Sequence, residues 1–594
     1  MIEYCVDLGS PLDRHAHLYK VTATFPIANE ASVDLRLPVW SPGSYLIREY
    51  ARHVQDLTCT DEAGKPLAIE KIDKSGWRVT SRGAKKVIVH YRVYAYELTV
   101  RTSHLDDSHA FWNGVSTYLY IESLRAMPAR VTVIAPPTWK IAVALDRDEP
   151  ADPKGPPTFR AENYDVLADS PFHVGTHELI EFTAQGRPHQ IAVWGKCEAP
   201  REAIITDFTK IIDTHAAMFN PGKGGVPYPS YTFILLLAPN GYGGLEHARS
   251  CTLLSSPFTF KPRKRYEEFL ELVSHEYFHL WNVKRIHPDV LGPFDYQKEA
   301  YTRSLWVMEG VTSYYDRHAL LRSGLMSVSN YLDKLGEEIG KIASIPGRRK
   351  QSLEESSFDA WVKLYRPDEN TVNSTISYYL KGGMVALLLD LEIRRQTGDA
   401  RSLDDVMRLL WNEHGQSGVG FRDRDFAALV ERATGTSLGA FFDHTVRGRE
   451  DLDPQALLAS IGLELESGYK DDSDGDGPAW SGASFKESGG RPVVSEALSR
   501  GPAESSGLYA GDELIALDGF RVNLESLKER IKLKEVGQTV KLTLFRRDEL
   551  FEVELVLDRA PKDKFTVKPV SAPSEVQKAA FRSWSGQDLQ VEET

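Results

Sequence analysis

Near Arg201 the apolar residues stop alternating and begin to recur every three or four positions, and that switch of period divides the chain into a β-rich beginning and a mainly helical middle. Upstream, "HLYKVTATFPI" alternates through His17, Tyr19, Val21, Ala23 and Phe25, and "ASVDLRLPVW" through Val33, Leu35, Leu37 and Val39. "KKVIVHYRVYAY" repeats the pattern through Val87, Val89, Tyr91 and Val93. A period of two, broken by Pro and Gly, predicts half-buried antiparallel strands, and so a β-sandwich or saddle over residues 1–198. Downstream, "REAIITDFTKIIDTHAAMF" has helical period and "YTFILLLAP" reads as a strand. "YEEFLELVSHEYFHLWNVKRI", "RSLWVMEGVTSYYDRHALLRSG" and "YYLKGGMVALLLDLEIRRQTG" are then amphipathic helices, each ending near a Gly or Pro stop signal. The fold class expected is multidomain α+β, with a mainly helical domain over 199–467.

An acidic linker follows at 468–478, "GYKDDSDGDGP". Its D-x-D-x-D-G run from Asp472 begins like a calcium loop, but the twelfth position is Ala483, where a bidentate Glu is required. A compact unit at 479–561 and a polar tail at 562–594 complete the chain. With 594 residues, three or four domains of about 150 each are expected.

The net charge of −13 argues against nucleic acid, since phosphate binding needs clustered Lys and Arg. No apolar run approaches the ~18 residues of a membrane span. The N-terminus, with Glu3, Asp7 and Asp13 and no apolar stretch, does not read as a signal peptide. Cys5, Cys59, Cys197 and Cys251 form no CxxC pair, so free thiols in a reducing compartment are expected, with the cytoplasm as the location.

"VSHEYFHLW" carries the chemistry. Residues four apart share a helix face, so His275 and His279 can aim ring nitrogens at one ion. Glu276, about 100° round the helix, can reach a water on that ion as a base. A third ligand is needed on another element, leaving one position open for water. The best candidate is Glu309 in "LWVMEGVTSYY", an acid among Trp306, Met308 and Val311, where burial without a partner would cost several kcal/mol. Glu299 is a rival, set among the polar residues of "DYQKEAYTR"; His287, before Pro288, does not share the required face.

"HEYFHLWNVKRIHP", "LWVMEGVTSYYDR" and "LPVWSPGSYLIREYARHV" resemble the glycyl aminopeptidase family of zinc metallopeptidases, which is similar to the wider aminopeptidase N group. The resemblance implies a β N-terminal domain, a thermolysin-like catalytic domain and a C-terminal PDZ domain. It implies one zinc per chain held by His275, His279 and Glu309, the last in the place of the glutamate of an N-E-G segment. The interval between His279 and Glu309 is longer than in aminopeptidase N, so "HPDVLGPFDYQ" belongs to an inserted loop. Tyr379 in "SYYLKGG" is similar to the tyrosine of a Tyr-x-Lys-Gly segment that stabilises the tetrahedral intermediate, with Tyr378 as the alternative. "GYGGLEHARS" resembles a Gly-x-Met-Glu-Asn segment through Gly243, Gly244, Leu245, Glu246 and His247, with Glu246 as the anchor for a substrate amine. Met is replaced by Leu and Asn by His.

"GPAESSGLYAGDELIALDGFRV" resembles a bacterial PDZ core with Leu508, Leu514, Ile515 and Leu517 buried, and "AWSGASF" its carboxylate-binding loop, with Gly482 as the glycine. The function expected is an aminopeptidase removing small N-terminal residues, Gly or Ala, from peptides. The alternatives are a zinc endopeptidase whose PDZ domain tethers protein C-termini and a non-catalytic peptide-binding scaffold. Peptide substrates and a peptide C-terminus in the PDZ groove are the expected partners, with no nucleic acid and no membrane.

Overall fold

A computed structural model describes residues 1–28, 30–148, 155–470 and 477–590, so the core of the calcium-like acidic run, 471–476, lies outside the described residues. The chain forms two compact units: residues 1–301 with 410–422, and residues 302–409 with 423–594. The helical region expected at 199–467 is therefore shared between them.

In the first unit, β1 (Ile2–Asp7), β2 (Leu18–Pro26) and β3 (Lys86–Tyr94) are neighbours in a ten-stranded sheet. Tyr19, Val21, Ala23 and Phe25 of β2 are buried, as are Val87, Val89, Tyr91 and Val93 of β3, so the alternation read in the sequence is the inward face. β4 (His104–Leu105), β5 (His109–Trp112), β6 (Ala129–Ile134) and β7 (Phe172–Gly175) follow. β6 pairs with β1 in parallel, Ile2 opposite Ala129, which departs from the expected antiparallel arrangement. The long stretch of chain between these strands removes the hairpin constraint that would force them antiparallel. β4, β5 and β7 join Lys140–Ala142 in a four-stranded sheet, and Trp112, Phe172 and Val174 share one core with β1, β2 and β3.

A five-stranded sheet completes the unit. β8 (Glu178–Ala184) and β9 (Arg187–Trp194) lead through helix α1 (Arg201–Phe219) to β10 (Tyr231–Leu237), β11 (Gly243–Glu246) and β12 (Ser250–Ser255). The order is β8-β9-β10-β12-β11. β10, parallel to both neighbours, is buried throughout, which explains its unbroken apolar run. β11 is the antiparallel edge strand. Helix α2 (Arg263–Phe278) packs against β11 and β12.

In the second unit a π-helical turn, Trp306–Gly310, opens α3 (Val311–Arg322). α4 (Leu380–Thr397) ends at Gly398 in the left-handed conformation, φ 59°. β13 (Leu463–Gly468) precedes the PDZ-like fold, whose sheet begins with β14 (Ala483–Ser488) and includes helix α5 (Leu524–Lys532) beside it. Leu508, Leu514 and Leu517 are buried there as expected, but Ile515 is only half-buried, because neighbours along a strand face opposite ways. The expected tail is folded. β15 (Lys564–Pro569) pairs with β13, and α6 (Glu575–Ser585) starts with a capping box of Ser574 and Gln577. α6 buries Phe581 and Trp584; the Trp584 indole donates to Tyr314 Oη at 3.0 Å, and His318 Nε2 bonds the Trp584 carbonyl at 2.9 Å. Two large aromatics outweigh the polar composition that made the segment read as a tail. No helix among the described residues is long and apolar enough to cross a membrane.

Candidate active site

In the first unit, the apolar face of α2, with Phe269, Leu270, Leu272 and Val273 buried, anchors the helix and brings its C-terminal turn up to the edge strand β11. The rings of His275 and His279 stand edge to face, 4.7 Å between centroids. His279 Nδ1 bonds the Asn282 carbonyl at 2.7 Å. A carbonyl only accepts, so Nδ1 carries the proton and the Nε2 lone pair is left for an ion, the usual outer-shell arrangement of a metal-binding histidine.

Glu276, on the next position of the helix, is 5 % exposed. It lies so close to β11 that a Cβ on Gly244 would overlap its carboxylate. Glu246, at the other end of the strand, is 4 % exposed, and its Oε1 is buried with no hydrogen-bond partner. A Cβ on Gly43, in the "SPGSY" loop, would overlap both oxygens of that carboxylate, and Gly43 sits at φ 83°, which favours glycine in any case. One ligand atom each from Glu246, Glu276 and His279 lies within 4.8 Å of the others. Two carboxylates and an imidazole thus converge in a buried place, a donor set that suits a divalent cation.

The turn after β11 is held by Asp169, which accepts from His247 Nδ1 at 3.1 Å, the Ala248 amide at 2.8 Å and Lys284 Nζ at 2.7 Å. Burial alone would raise its pKa; the Lys284 charge and His247 outweigh it and lower the value to about 2. His247, where the related segment has Asn, therefore serves this turn. Glu246 faces a cavity of about 350 Å³ whose wall includes Trp40, Gly43, Tyr45, Lys284, His287 and Phe294.

The inserted segment accounts for much of that wall. The Val39 amide donates to the Tyr296 carbonyl and the Trp40 indole to the Asp295 carbonyl, each at 2.9 Å. Gln297 Nε2 donates to the Leu37 carbonyl at 3.0 Å. The residues between His279 and Glu309 thus dock on the "LPVW" segment and close one side of the cavity. His287 lines it, with Nδ1 bonded to the Pro288 carbonyl at 3.0 Å. Arg101 also reaches this region, donating to the Gly244 carbonyl at 3.3 Å, and no sequence signal marks it. Gly243, at φ 145°, lies beside the same guanidinium. Glu299, the rival ligand, is half-buried in this unit.

In the second unit Glu309 sits in the π-helical turn, 2 % exposed, with Trp306 and Met308 also buried. A Cβ on Gly310 would overlap the Gly382 backbone and the Tyr378 carbonyl, so the turn meets the start of α4 backbone to backbone. This contact sets Glu309 near Tyr379. Burial, then the Glu309 charge, pushes the Tyr379 phenol well above its ordinary pKa, so it remains a proton donor at neutral pH. Its hydroxyl is 3.2 Å from that of Tyr365. Tyr378, the alternative, is fully buried with its ring stacked on Tyr379 at 4.8 Å, which leaves Tyr379 the more accessible phenol. Lys381 of the same segment is buried, with Nζ lacking a hydrogen-bond partner.

In the PDZ-like fold Gly482 has φ 72°, and a Cβ there would overlap Pro502. A groove of about 450 Å³ lies along β14 and α5, lined by Trp480, Ser481, Ser484, Phe485, Lys528 and Ile531.

Three family profiles match the chain: the peptidase M61 N-terminal domain over residues 4–176, the M61 glycyl aminopeptidase over 268–385, and a PDZ domain over 481–557. A crystal structure described as an aminopeptidase N family protein from Idiomarina loihiensis is 34% identical, covering 98% of this chain and 100% of that one, with a TM-score of 0.90. The chain belongs to the M61 glycyl aminopeptidase family. As an M61 member it is a peptidase that carries a PDZ domain after its helical region. A comparison with curated proteins finds no match.

Proposed function

We propose that the chain is a zinc-dependent aminopeptidase that removes small N-terminal residues, Gly or Ala, from peptides. His275, His279 and Glu309 are the ligands in this reading, two imidazoles and a carboxylate with one position left open, as in catalytic zinc sites. Zinc held there would supply Lewis acidity and a water of lowered pKa. Glu276 takes the proton from that water and passes it to the leaving amine. Tyr379 donates to the oxyanion, a contact typically worth about 3 kcal/mol of barrier. The edge strand β11 aligns the substrate backbone, and Gly243 and Gly244 allow its close approach.

The observation that carries the exopeptidase assignment is Glu246. A buried carboxylate with an unpartnered oxygen, at a cavity closed on one side by the "SPGSY" loop, is matched by a substrate ammonium. The Gly/Ala preference rests on family membership. The groove along β14 and α5 favours capture of a peptide C-terminus by the PDZ domain as a second binding event. Four free cysteines fit a reducing compartment, the cytoplasm.

The test compares Gly- and Ala-arylamides with their N-acetylated forms. Cleavage of the free-amine substrates alone is expected, and equal cleavage of both would convert the assignment to an endopeptidase. Glu276→Gln is expected to keep bound zinc and lose at least about 100-fold in kcat, the scale of a removed general base. Turnover near the parent rate would reject Glu276 as the base.

A further inference from the structure

The first unit holds a second cluster of metal-ligating side chains that the peptidase reaction does not use. The hairpin of β4 and β5 places His104 and His109 on either side of the turn that begins at Asp106. Register puts both rings on one face of the four-stranded sheet. His104 and His173 lie directly opposite Phe111 on its two neighbouring strands, and His109, two residues before Phe111, points the same way.

We propose that His104, Asp106 and His109 form a structural site for a divalent transition-metal ion of the kind that imidazole and carboxylate ligands select, zinc first among them. One ligand atom from each residue lies within 4.8 Å of the others. Asp106 Oδ2 is 3.2 Å from His104 Nε2, and Asp106 Oδ1 is 3.4 Å from His109 Nδ1. The two contacts run to different oxygens of the carboxylate, and an ion bound at about 2.0–2.1 Å would draw Oδ2 and the two rings together.

The cluster is built, and does not depend on flexible surface side chains. His109 is fully buried and His104 nearly so, while Asp106 is partly exposed and offers an ion its entry. Gly175, opposite His109, is the residue that leaves space for the ring, since a Cβ there would overlap the His109 Cβ. The Trp194 ring lies against His109, tilted by 31° with centroids 3.8 Å apart, and its indole donates to Ser108 Oγ at 3.2 Å. Asp106 Oδ1 is fixed by the Ser108 amide at 2.7 Å, the Ser108 hydroxyl at 2.6 Å and the His109 amide at 3.0 Å. That leaves Oδ2 to turn toward an ion.

The other ring nitrogens, His104 Nδ1 and His109 Nε2, are buried with no hydrogen-bond partner, while on the side of the cluster His109 Nδ1 also lies 3.1 Å from Ser108 Oγ. Behind them His173, edge to face with His109 at 5.4 Å, has both ring nitrogens buried and unpartnered. Buried polar atoms left this way are unfavourable, and an all-apolar core would avoid them. A cation in the cluster would tie β4 to β5 across their turn.

The test uses full-length chain stripped of metal and titrated with Co(II), read by visible absorption and by elemental analysis after zinc loading. A chain carrying His275→Gln and His279→Gln is expected to retain one equivalent, independent of the peptidase assignment. Adding His104→Gln and His109→Gln should remove it. In the otherwise unaltered chain, Asp106→Asn should weaken one equivalent by at least about 10-fold, the usual effect of disturbing a metal's ligand environment. Retention of that equivalent by a His104→Gln/His109→Gln chain that still melts cooperatively would overturn the site. If that chain does not fold, Asp106→Asn decides: unchanged affinity overturns the site and a loss supports it.

Discussion

Gly244 shows how tightly a single position can be specified. It lies on an edge strand where any side chain would be tolerated on the solvent side, yet a Cβ would run into the carboxylate of Glu276. Overpacking of this kind costs about 1–3 kcal/mol, here concentrated on one functional group. Gly244→Ala is therefore expected to lower kcat/KM for Ala-arylamide by at least about 10-fold while melting shifts by only a few degrees, checked by kinetics and calorimetry. The motif was readable because glycines before an acid after an apolar strand imply close approach. What pressed on them, Glu276 from one side and Arg101 from another, was not readable, because contacts across long sequence separations leave no periodic trace. Asp169 makes the same point. Its carboxyl is lowered to about 2 by Lys284 and His247. Its contribution is present above the unfolded value of about 3.9 and lost as pH falls through the folded one, so it amounts to on the order of 2 kcal/mol at neutral pH. The stability gap between the parent and Asp169→Asn, measured by urea unfolding, should close between about pH 4 and pH 2.

At the scale of elements, helices and alternating strands could be read off directly, since β2, β3 and α4 appear where their periods put them, while α2 ends at Phe278, short of the run to Ile286 that its period suggested. Two features were hidden. The parallel pairing of β1 with β6 depends on chain direction, which hydrophobic period does not record. The π-helical turn at Trp306–Gly310 adds a residue within a single turn, too local to disturb the pattern around it. That turn and α4 meet through Gly310 and Gly382, whose backbones approach too closely for any side chain. Gly382→Ala must separate them. It is expected to destabilise the second unit by about 1–3 kcal/mol and to reduce activity with little change in KM, measured by denaturant titration alongside kcat.

For the whole molecule, the chain's contacts group it differently from the boundaries drawn on composition. The helical region expected as one domain falls in both units, and the segment after 562 pairs β15 with β13 inside the second unit. Its polar average concealed Phe581 and Trp584, both fully buried. Trp584→Ala removes a large core side chain together with its hydrogen bond to Tyr314, and is expected to cost about 3–5 kcal/mol. Thermal unfolding should show that loss even though the substitution is remote in sequence from HExxH. The β-rich beginning was legible in outline because its buried residues recur at strand spacing, and the PDZ-like fold through its resemblance to a PDZ core.

The turn that carries Glu309 also fixes which sequence changes this region can survive during evolution. Exchanging its apolar neighbours for others of similar volume leaves the carboxylate aimed as it is, whereas deleting one residue would restore ordinary winding and swing it by about 100°. Descendants of this chain are thus free to vary the letters of "WVMEG" far more than their number.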